Sequence, residues 1–279
     1  MPRFRVPGAP VVVIESRRGW RRLHLAELWA HRELLYYFVW RDLKVRYKQT
    51  FFGAAWAVLQ PALLMVVFSV SLGRIPGVGP SDVPYPLFVF AGLVPWTLFA
   101  QGLAGASTSL VGGEAIITKV YFPRLLLPFA AVISFLPDLA IGLGVLVLLM
   151  AYFGTAISLS VLWLPALAVL VLVTALGAGT LLGAFNVRYR DVKYVVPFLV
   201  QILLFASPVV YSSSLIPERW LWLYSLNPMV GVVEGFRWAM LGGTRPDLAM
   251  LVSALVAAVI FVVAMVYFER AERTFADVI

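Results

Sequence analysis

Residues 139–187 read LAIGLGVLVLLMAYFGTAISLSVLWLPALAVLVLVTALGAGTLLGAFNV and contain no charged side chain. A helix needs about 20 apolar residues to cross the hydrocarbon core of a bilayer, so this stretch is too long for one crossing. The Gly, Thr and Ser residues within 154–160 favour a turn between two helices. The stretch therefore predicts two consecutive membrane-spanning helices.

The remainder of the chain is also strongly apolar. Hydrophobic residues make up 62% of the 279 positions and charged residues 13%, whereas soluble domains are about half apolar and a quarter charged. We expect an all-α integral membrane protein, in which prolines inside spans are tolerated because neighbouring helices bind the freed carbonyls. Six transmembrane helices are predicted, at residues 51–73, 84–108, 125–152, 161–187, 194–212 and 248–268, with Pro61, Pro95 and Pro208 inside them.

The distribution of Lys and Arg gives the bundle a direction. With a cytoplasmic N-terminus, 18 of the 22 basic residues lie on the cytoplasmic side and only Arg74, Arg219, Arg237 and Arg245 on the other. Cytoplasmic loops carry such an excess, so both tails, 1–24 and 269–279, are predicted to be cytoplasmic. The net charge of +8 then reflects topology and anionic lipid head groups, and we expect no nucleic-acid partner.

Several kinds of chemistry are disfavoured by the residues present. The chain has no cysteine and only two histidines, His24 and His31, so no metal site is expected. It contains no GxxxxGK[ST] loop and no nucleophile paired with a base. We therefore expect a transport subunit without a cofactor of its own, whose energy comes from another protein.

Three segments outside the spans have their own patterns. Residues 25–50 predict an amphipathic helix in the membrane interface, either a plain anchor or a lever beside a partner. The loop 114–122 predicts a short helix from Glu114 that Pro123 stops, suited to docking a soluble subunit or serving as a connector. Residues 216–243 predict two short external helices that enter the outer leaflet and return.

Charged residues near or inside the spans leave alternatives open. Glu234 and Arg237 are three residues apart and are predicted to pair, which either fixes the external turn or lines an exit. Asp138 lies inside the third span, where an acid usually faces protein or water. Helix capping or channel lining is the favoured interpretation, and a proton relay is the alternative. The relay is disfavoured because the spans supply no basic partner.

Three segments resemble one family of transporters. RDLKVRYKQTFFGAAWAVLQP (41–61), FNVRYRDVKYVVPFLVQILLFASPVVYSSSLIPERW (185–220) and LYSLNPMVGVVEGFRWAMLG (223–242) are similar to ABC-2 type permeases of ATP-binding-cassette exporters, above all those for O-antigen, other polysaccharides or teichoic acid. The resemblance covers the chain from about residue 25 to its end.

The resemblance implies a homodimer with two ATPase subunits, which hold ATP and Mg²⁺, in the bacterial inner membrane. It implies a channel at the dimer interface for a glycan on undecaprenyl pyrophosphate, and it makes 25–48 the interface helix. The coupling helix would use Glu114, Ile117, Lys119 and Tyr121, and the external gate Glu234 and Arg237.

The aromatic and basic residues suit such a substrate. Sugars slide over aromatic rings, and the candidates for channel lining are Phe51, Phe52, Trp56, Phe198, Phe205 and Tyr211; lipid-facing or packing roles stay open for each. Arg41, Lys44, Arg46 and Lys48 are candidates for binding the lipid pyrophosphate, with topology anchoring as the alternative. The rival functions are export of a drug, lipid or small glycolipid, proton-coupled transport, and a membrane enzyme for polyprenyl phosphates.

Overall fold

The chain folds as a bundle of helices. The computed structural model describes residues 25–48, 53–80, 82–243 and 245–278, and in these ranges it has α-helices and short 3-10 turns but no β-strand. The α-helices are α1 (Leu25–Ala30), α2 (Arg32–Lys48), α3 (Trp56–Leu72), α4 (Tyr85–Gly112), α5 (Glu114–Ile117), α6 (Leu126–Ile133), α7 (Leu136–Phe153), α8 (Leu164–Arg188), α9 (Val192–Ala206), α10 (Glu218–Tyr224), α11 (Pro228–Leu241) and α12 (Asp247–Val278).

Four helical stretches in the described ranges are long and apolar enough to cross a membrane. They are Tyr85–Gly112, Leu126–Phe153, Leu159–Arg188 and Leu248–Glu272. The helices at the first and fifth predicted spans, α3 and α9, have 17 and 15 residues. Both fall short of the roughly 20 residues of a full crossing.

Proline decides where α9 stops. The prediction put Pro208 inside a helix that continues to residue 212, but α9 ends at Ala206 and Ser207 is extended (φ −115°, ψ 152°). The reason is steric, since the ring of a proline disfavours the helical conformation of the residue before it. Pro61 and Pro95, by contrast, lie inside α3 and α4 as predicted.

Helix α4 is the centre of the bundle. It is buried over most of its length and packs against α3, α6, α7, α8, α9 and α11. Its tightest contact is with α8, where a Cβ added at Gly179 would lie 2.7 Å from the Cβ of Ala106. Small residues permit such close helix approach in membranes. The sequence GAGTLLG in α8 is therefore a packing surface.

The third predicted span is discontinuous. Helix α6 ends at Ile133, Ser134 and Phe135 form a turn, and α7 begins at Leu136. Pro137 stands at the start of α7, the position at which a missing N–H costs a helix least. At its other end α7 stops at Gly154, whose φ of 71° is the left-handed conformation that glycine adopts freely.

The last helix continues beyond the predicted span. Helix α12 runs without interruption from Asp247 to Val278, so most of the predicted tail 269–279 extends the sixth span as a helix. Thirty-two helical residues measure about 48 Å, more than the roughly 30 Å of a bilayer core. Phe268 and Phe275 are buried in a second core cluster, with residues of α2, α4, α6, α8 and the loop after α5.

Candidate functional site

Helix α2 has one face on the bundle and one face outside. Phe38 is buried, with Val39 and Leu43 partly covered beside it, and the helix packs on α6. The outer face is aromatic: Tyr36 and Tyr37 are 61% and 65% exposed. Trp29 of α1 and Trp40 are exposed as well. Aromatic side chains at this position are typical of an interfacial helix.

The four basic residues of α2 separate into two groups. Arg41, Lys44 and Lys48 are exposed, and Arg41 contacts its neighbour Asp42 at 2.9 Å. Arg46 points inward, unlike the three other candidates for binding the lipid pyrophosphate. Its side chain is partly covered because it reaches polar groups at the junction of α6 and α7.

Arg46 closes the break between α6 and α7. Its Nη1 donates to the Ser134 carbonyl at 3.1 Å and to Oδ2 of Asp138 at 2.8 Å, and its Nη2 donates to Ser134 Oγ at 2.9 Å. The guanidinium carbon lies 3.6 Å from the centre of the Phe135 ring. The last carbonyls of a helix have no partner within it, so Arg46 satisfies one of them and a carboxylate together.

Asp138 is therefore not the isolated acid that the sequence indicated. Its carboxylate is 9% exposed, pairs with Arg46, and accepts a hydrogen bond from the Tyr47 hydroxyl. The spans, as far as the structure describes them, supply no basic partner within hydrogen-bond reach of Asp138, as the sequence indicated; its partner comes from α2. Asp138 is not the cap residue of α7, since that position is Phe135 and Asp138 is the third residue of the helix.

Tyr47 is the fourth member of this polar cluster, called the joint below, which consists of Arg46, Tyr47, Ser134 and Asp138. Burial, followed by the hydrogen bond and the charge of Asp138, raises the pKa of the Tyr47 phenol to about 12. The hydroxyl is therefore a proton donor at neutral pH. Sequence reasoning missed the roles of Tyr47 and Ser134, because these contacts join residues about 90 positions apart and depend on how α2 packs on α6 and α7.

A narrow crevice lies directly behind the joint. It is lined by Asp138 and residues of α3, α4 and α7, among them Ala57, Thr97 and Gln101. The free space is about 10 Å³, close to the minimum for a single water molecule. At its edge Gln101 Nε2 donates to Oε1 of Gln60 at 3.3 Å. Gln60 is exposed on α3, a polar residue that the sequence analysis did not single out.

The aromatic candidates lie on the outer faces of α3 and α9. Trp56 is 48% exposed, Phe198 64% and Phe205 55%. The Phe205 ring also contacts Phe68 of α3, with 6.4 Å between the ring centres, so the two faces are neighbours. Tyr211 is partly covered, and its hydroxyl donates to the Phe205 carbonyl at 3.0 Å. Phe51 and Phe52 lie outside the described residues.

The loop between α4 and α6 is less helical than predicted. The α-helix covers only Glu114–Ile117, and the chain continues as a turn and an extended segment to Pro123. Lys119 is exposed and Tyr121 is 89% exposed, whereas the next residue, Phe122, is 5% exposed. The Phe122 ring packs on Phe38 of α2 with 5.4 Å between centres. The loop thus exposes the Tyr121 ring and packs the Phe122 ring against α2.

Helix α11 contains a buried arginine. Arg237 of α11 is 8% exposed; its Nε donates to the Phe88 carbonyl at 3.1 Å and its Nη2 to the Val209 carbonyl at 2.5 Å. Its guanidinium lies 3.5 Å from the centre of the Phe88 ring. The structure has no ion pair within 4 Å between Arg237 and Glu234, both of which it describes. The predicted pairing is wrong, because burial directs the arginine to carbonyls of α4 and of the segment after α9.

Neutral side chains also hold the region around Arg237, where the segment after α9 meets α4 and α11. Asn227 accepts from the Met229 amide at 3.0 Å, which caps α11, and its Nδ2 donates to Ser207 Oγ at 2.9 Å. The Tyr85 hydroxyl donates to the Val210 carbonyl at 2.7 Å. The turn that follows α9 is therefore held by α4 and α11 together. Among the residues that the structure describes, no three His, Asp or Glu side chains come together as a possible metal site.

Comparison with known proteins adds a family and several relatives. Residues 33–241 match the family "ABC-2 type transporter". The chain is 32% identical to the O-antigen export system permease protein RfbA of Myxococcus xanthus, over 90% of this chain and 97% of that protein. It is 25% identical to RfbA of Klebsiella pneumoniae, over 86% and 92% of the two chains. It is also 25% identical to the polysialic acid transport protein KpsM of Escherichia coli, over 73% and 79%.

Proposed function

Because the chain belongs to the ABC-2 type transporter family, we propose that it is the permease that exports a polysaccharide linked to undecaprenyl pyrophosphate, such as O-antigen, across the bacterial inner membrane. The observation that carries the choice of substrate is the similarity to an O-antigen export permease over nearly the full length of both chains. The chain is a multi-pass membrane protein and a transport subunit, and the ATP would be hydrolysed by a separate partner.

The proposed topology has six crossings and two cytoplasmic termini. Helices α3 and α9 supply the two crossings beyond the four long stretches, at about 26 and 23 Å of helix. Residues outside the regular helices would complete each crossing. The short helices α10 and α11 would enter the outer leaflet and return. The excess of Lys and Arg on one side supports this direction.

The proposed channel lies between two copies of the chain, along the outer faces of α3 and α9. Trp56, Phe198 and Phe205 offer exposed rings on which sugars can stack and slide. Gln60 supports the same face, because a polar side chain in a span is costly against lipid and usually faces water or protein. Arg41, Lys44 and Lys48 are exposed at the proposed cytoplasmic end, where basic groups attract anionic head groups.

The proposed docking surface for the ATPase is the loop 114–122. Val120 and Tyr121 are adjacent and 58% and 89% exposed, so they offer an apolar surface that a soluble subunit can cover. A soluble subunit that covers them would bind at the base of α2, since Phe122 packs on Phe38. ATP and Mg²⁺ would reside in that subunit.

The decisive experiment is purification of the chain with its candidate ATPase, followed by ATP hydrolysis with and without lipid-linked polysaccharide. We expect a stable complex whose hydrolysis rate rises with substrate, and a deletion strain that loses surface polysaccharide and accumulates the lipid-linked polymer inside. A chain that binds no ATPase, or a strain with normal surface polysaccharide and altered drug resistance, would contradict the proposal.

A pair of aromatic variants tests the channel face. We expect Phe198→Ser to lower the export rate severalfold, because it removes an exposed ring from the proposed path. Tyr152→Ser is the matched control: Tyr152 is 81% exposed at the end of α7 and outside the α3 and α9 faces. Equal export by the two variants would argue against this location of the channel.

A further inference from the structure

The joint at Arg46 links three parts of the chain that are distant in sequence. Arg46 belongs to the interfacial helix α2, Ser134 to the end of α6, and Asp138 to the first turn of α7. The Arg46 side chain is 28% exposed and that of Asp138 is 9% exposed, so the guanidinium reaches the edge of the bundle while the carboxylate is nearly buried. If the pair separates, Arg46 keeps access to solvent, and the Asp138 carboxylate needs water in the crevice that it lines.

The same joint bounds the narrow crevice. Asp138 lines that crevice together with Ala57 of α3 and Thr97 of α4, and the space holds about one water molecule. Asp138 is held from the α2 side by both Arg46 and Tyr47. A movement of α2 away from the bundle would therefore withdraw two donors from one wall of the crevice.

Helix α2 also has a contact at its other end through which it can be moved. Phe38 lies eight residues before Arg46, about 12 Å along the helix axis. It packs on Phe122, which follows the exposed Tyr121 directly. The short α2 segment between Phe38 and Arg46 is one uninterrupted helix, so it transmits displacement as a rigid body.

We propose that Arg46 and Asp138 form a latch that fastens α2 to the break between α6 and α7 and keeps the crevice beside α3 closed. When the loop 114–122 moves, Phe122 and Phe38 displace α2, the latch opens, and water enters the crevice. Arg46 and Asp138 are positioning residues in this scheme. The scheme gives them a role that the proposed export of a polysaccharide does not itself require.

The absence of cysteine permits a direct test on the full-length chain. A single cysteine at Ala57→Cys reports the crevice through its rate of reaction with a small water-soluble maleimide. We expect Asp138→Asn and Arg46→Met each to raise that rate on the order of tenfold, and the double variant to be no faster than either, because both remove one latch. Rates that multiply in the double variant, or that do not rise in the single variants, would overturn the proposal.

Two controls separate opening of the latch from general loosening. Asp42→Asn breaks an ion pair of the same helix that is exposed, and we expect it to leave the rate at Ala57→Cys within twofold. Thr180→Cys places a thiol at a fully buried site of α8, and it should stay unreactive in each latch variant. If the latch variants made both the Thr180→Cys thiol and the Ala57→Cys thiol reactive, the bundle would be unfolding, and the proposed latch would be overturned.

The connection to the loop has its own pair of variants. We expect Phe122→Ala to raise the labelling rate at Ala57→Cys severalfold, since it loosens the contact that positions α2. Tyr121→Ala, which removes an exposed ring from the adjacent residue, should leave the rate unchanged. Equal rates would refute transmission through α2. None of these measurements needs ATP, the ATPase or a polysaccharide, so their failure would leave the proposed function intact.

Discussion

Two arginines hold the two ends of this bundle, and they do so by different means. Arg46 and Arg237 both stack on a phenylalanine ring, at 3.6 and 3.5 Å, and both donate to a backbone carbonyl where a helix is interrupted or ends. Arg46 also has a carboxylate partner in Asp138 and keeps part of its side chain in contact with solvent. Arg237 is 8% exposed and donates to the carbonyls of Phe88 and Val209.

The different surroundings of Arg46 and Arg237 indicate that one end of the bundle can move and the other is rigid. A buried charge without a carboxylate partner is stable only while each of its hydrogen bonds is present, so the corner around Arg237 is expected to be rigid. Of the pair at the other end, Arg46 is 28% exposed and Asp138 is 9% exposed, so the Arg46 guanidinium can exchange a partner for water at lower cost than that of Arg237. The end that contains Arg46 and Asp138 is therefore the one suited to movement, and the end around Arg237 is suited to staying closed.

The largest effect is expected from Arg237→Met. The substitution leaves the Val209 carbonyl without its side-chain donor and removes the cation that stacks on the Phe88 ring, and an unpaired buried group alone costs about 1–3 kcal/mol. We expect a loss of about 3 kcal/mol in the free energy of unfolding, measured by thermal or denaturant unfolding in detergent. Arg219→Met is the control, because Arg219 is exposed on α10; a similar loss in both variants would mean that burial of Arg237 is unimportant.

The next effect is expected from Gly92→Ala on α4. A Cβ at Gly92 would lie 2.8 Å from Nη2 of Arg237 and 2.9 Å from the Val209 carbonyl oxygen, and overpacking of this kind costs about 1–3 kcal/mol. Gly144→Ala on α7, where the added carbon meets open space, should not destabilise the fold. In a chain that also carries Arg237→Met, the loss of unfolding free energy caused by Gly92→Ala should be smaller. An unchanged loss would show that the added Cβ does not clash with Arg237.

A smaller effect is expected from Asp138→Asn at the other end. Arg46 loses its counter-charge but retains Ser134 and access to water, so we expect a loss of about 1–2 kcal/mol in unfolding free energy. Asp42→Asn, which acts on an exposed pair of the same helix, should change stability by less than about 0.5 kcal/mol. A loss as large as that of Arg237→Met would remove the distinction between a movable and a rigid end.

The smallest of these effects is expected from Asn227 variants beside Arg237. Asn227→Ala removes the cap of α11 and the bond to Ser207, for about 1 kcal/mol. Asn227→Asp keeps the acceptor for the Met229 amide and loses only the donor, so it should cost less. Unfolding midpoints of the two variants measure this directly. If Asn227→Asp lowers the unfolding midpoint as much as Asn227→Ala, the stabilisation comes from the hydrogen bonds that the Asn227 amide donates to Ala206 and Ser207 and not from the cap.

The spans that the sequence predicted follow from local composition. An apolar stretch of sufficient length must be helical in a bilayer, because no water is present to bind its backbone groups. That is why α4, α8 and α12 begin within four residues of their predicted starts. The first and fifth predicted spans are helical too but shorter, because α9 stops before Pro208 and α3 starts only at Trp56.

The partners of the charged residues could not be derived in the same way. Spacing places Glu234 and Arg237 on one face of α11, yet Arg237 turns to carbonyls that lie 149 and 28 positions away in the sequence. Asp138 was assigned no basic partner because its partner lies 92 positions earlier, outside the spans. Such contacts depend on how helices pack, and a single sequence contains no record of it.

By itself, then, the sequence determined an all-α membrane protein, most of its helical segments, and its likeness to ABC-2 permeases. The first two depend on composition and length of apolar stretches, and the third depends on three segments that resemble the family. Only the tertiary structure decided that Arg46 meets Asp138, that Arg237 is buried without a carboxylate partner, and that Gln60 is exposed. The physical reason is that a charge in a low-dielectric bundle takes whichever polar group the packing brings within about 3 Å, and that distance is set in space rather than along the chain.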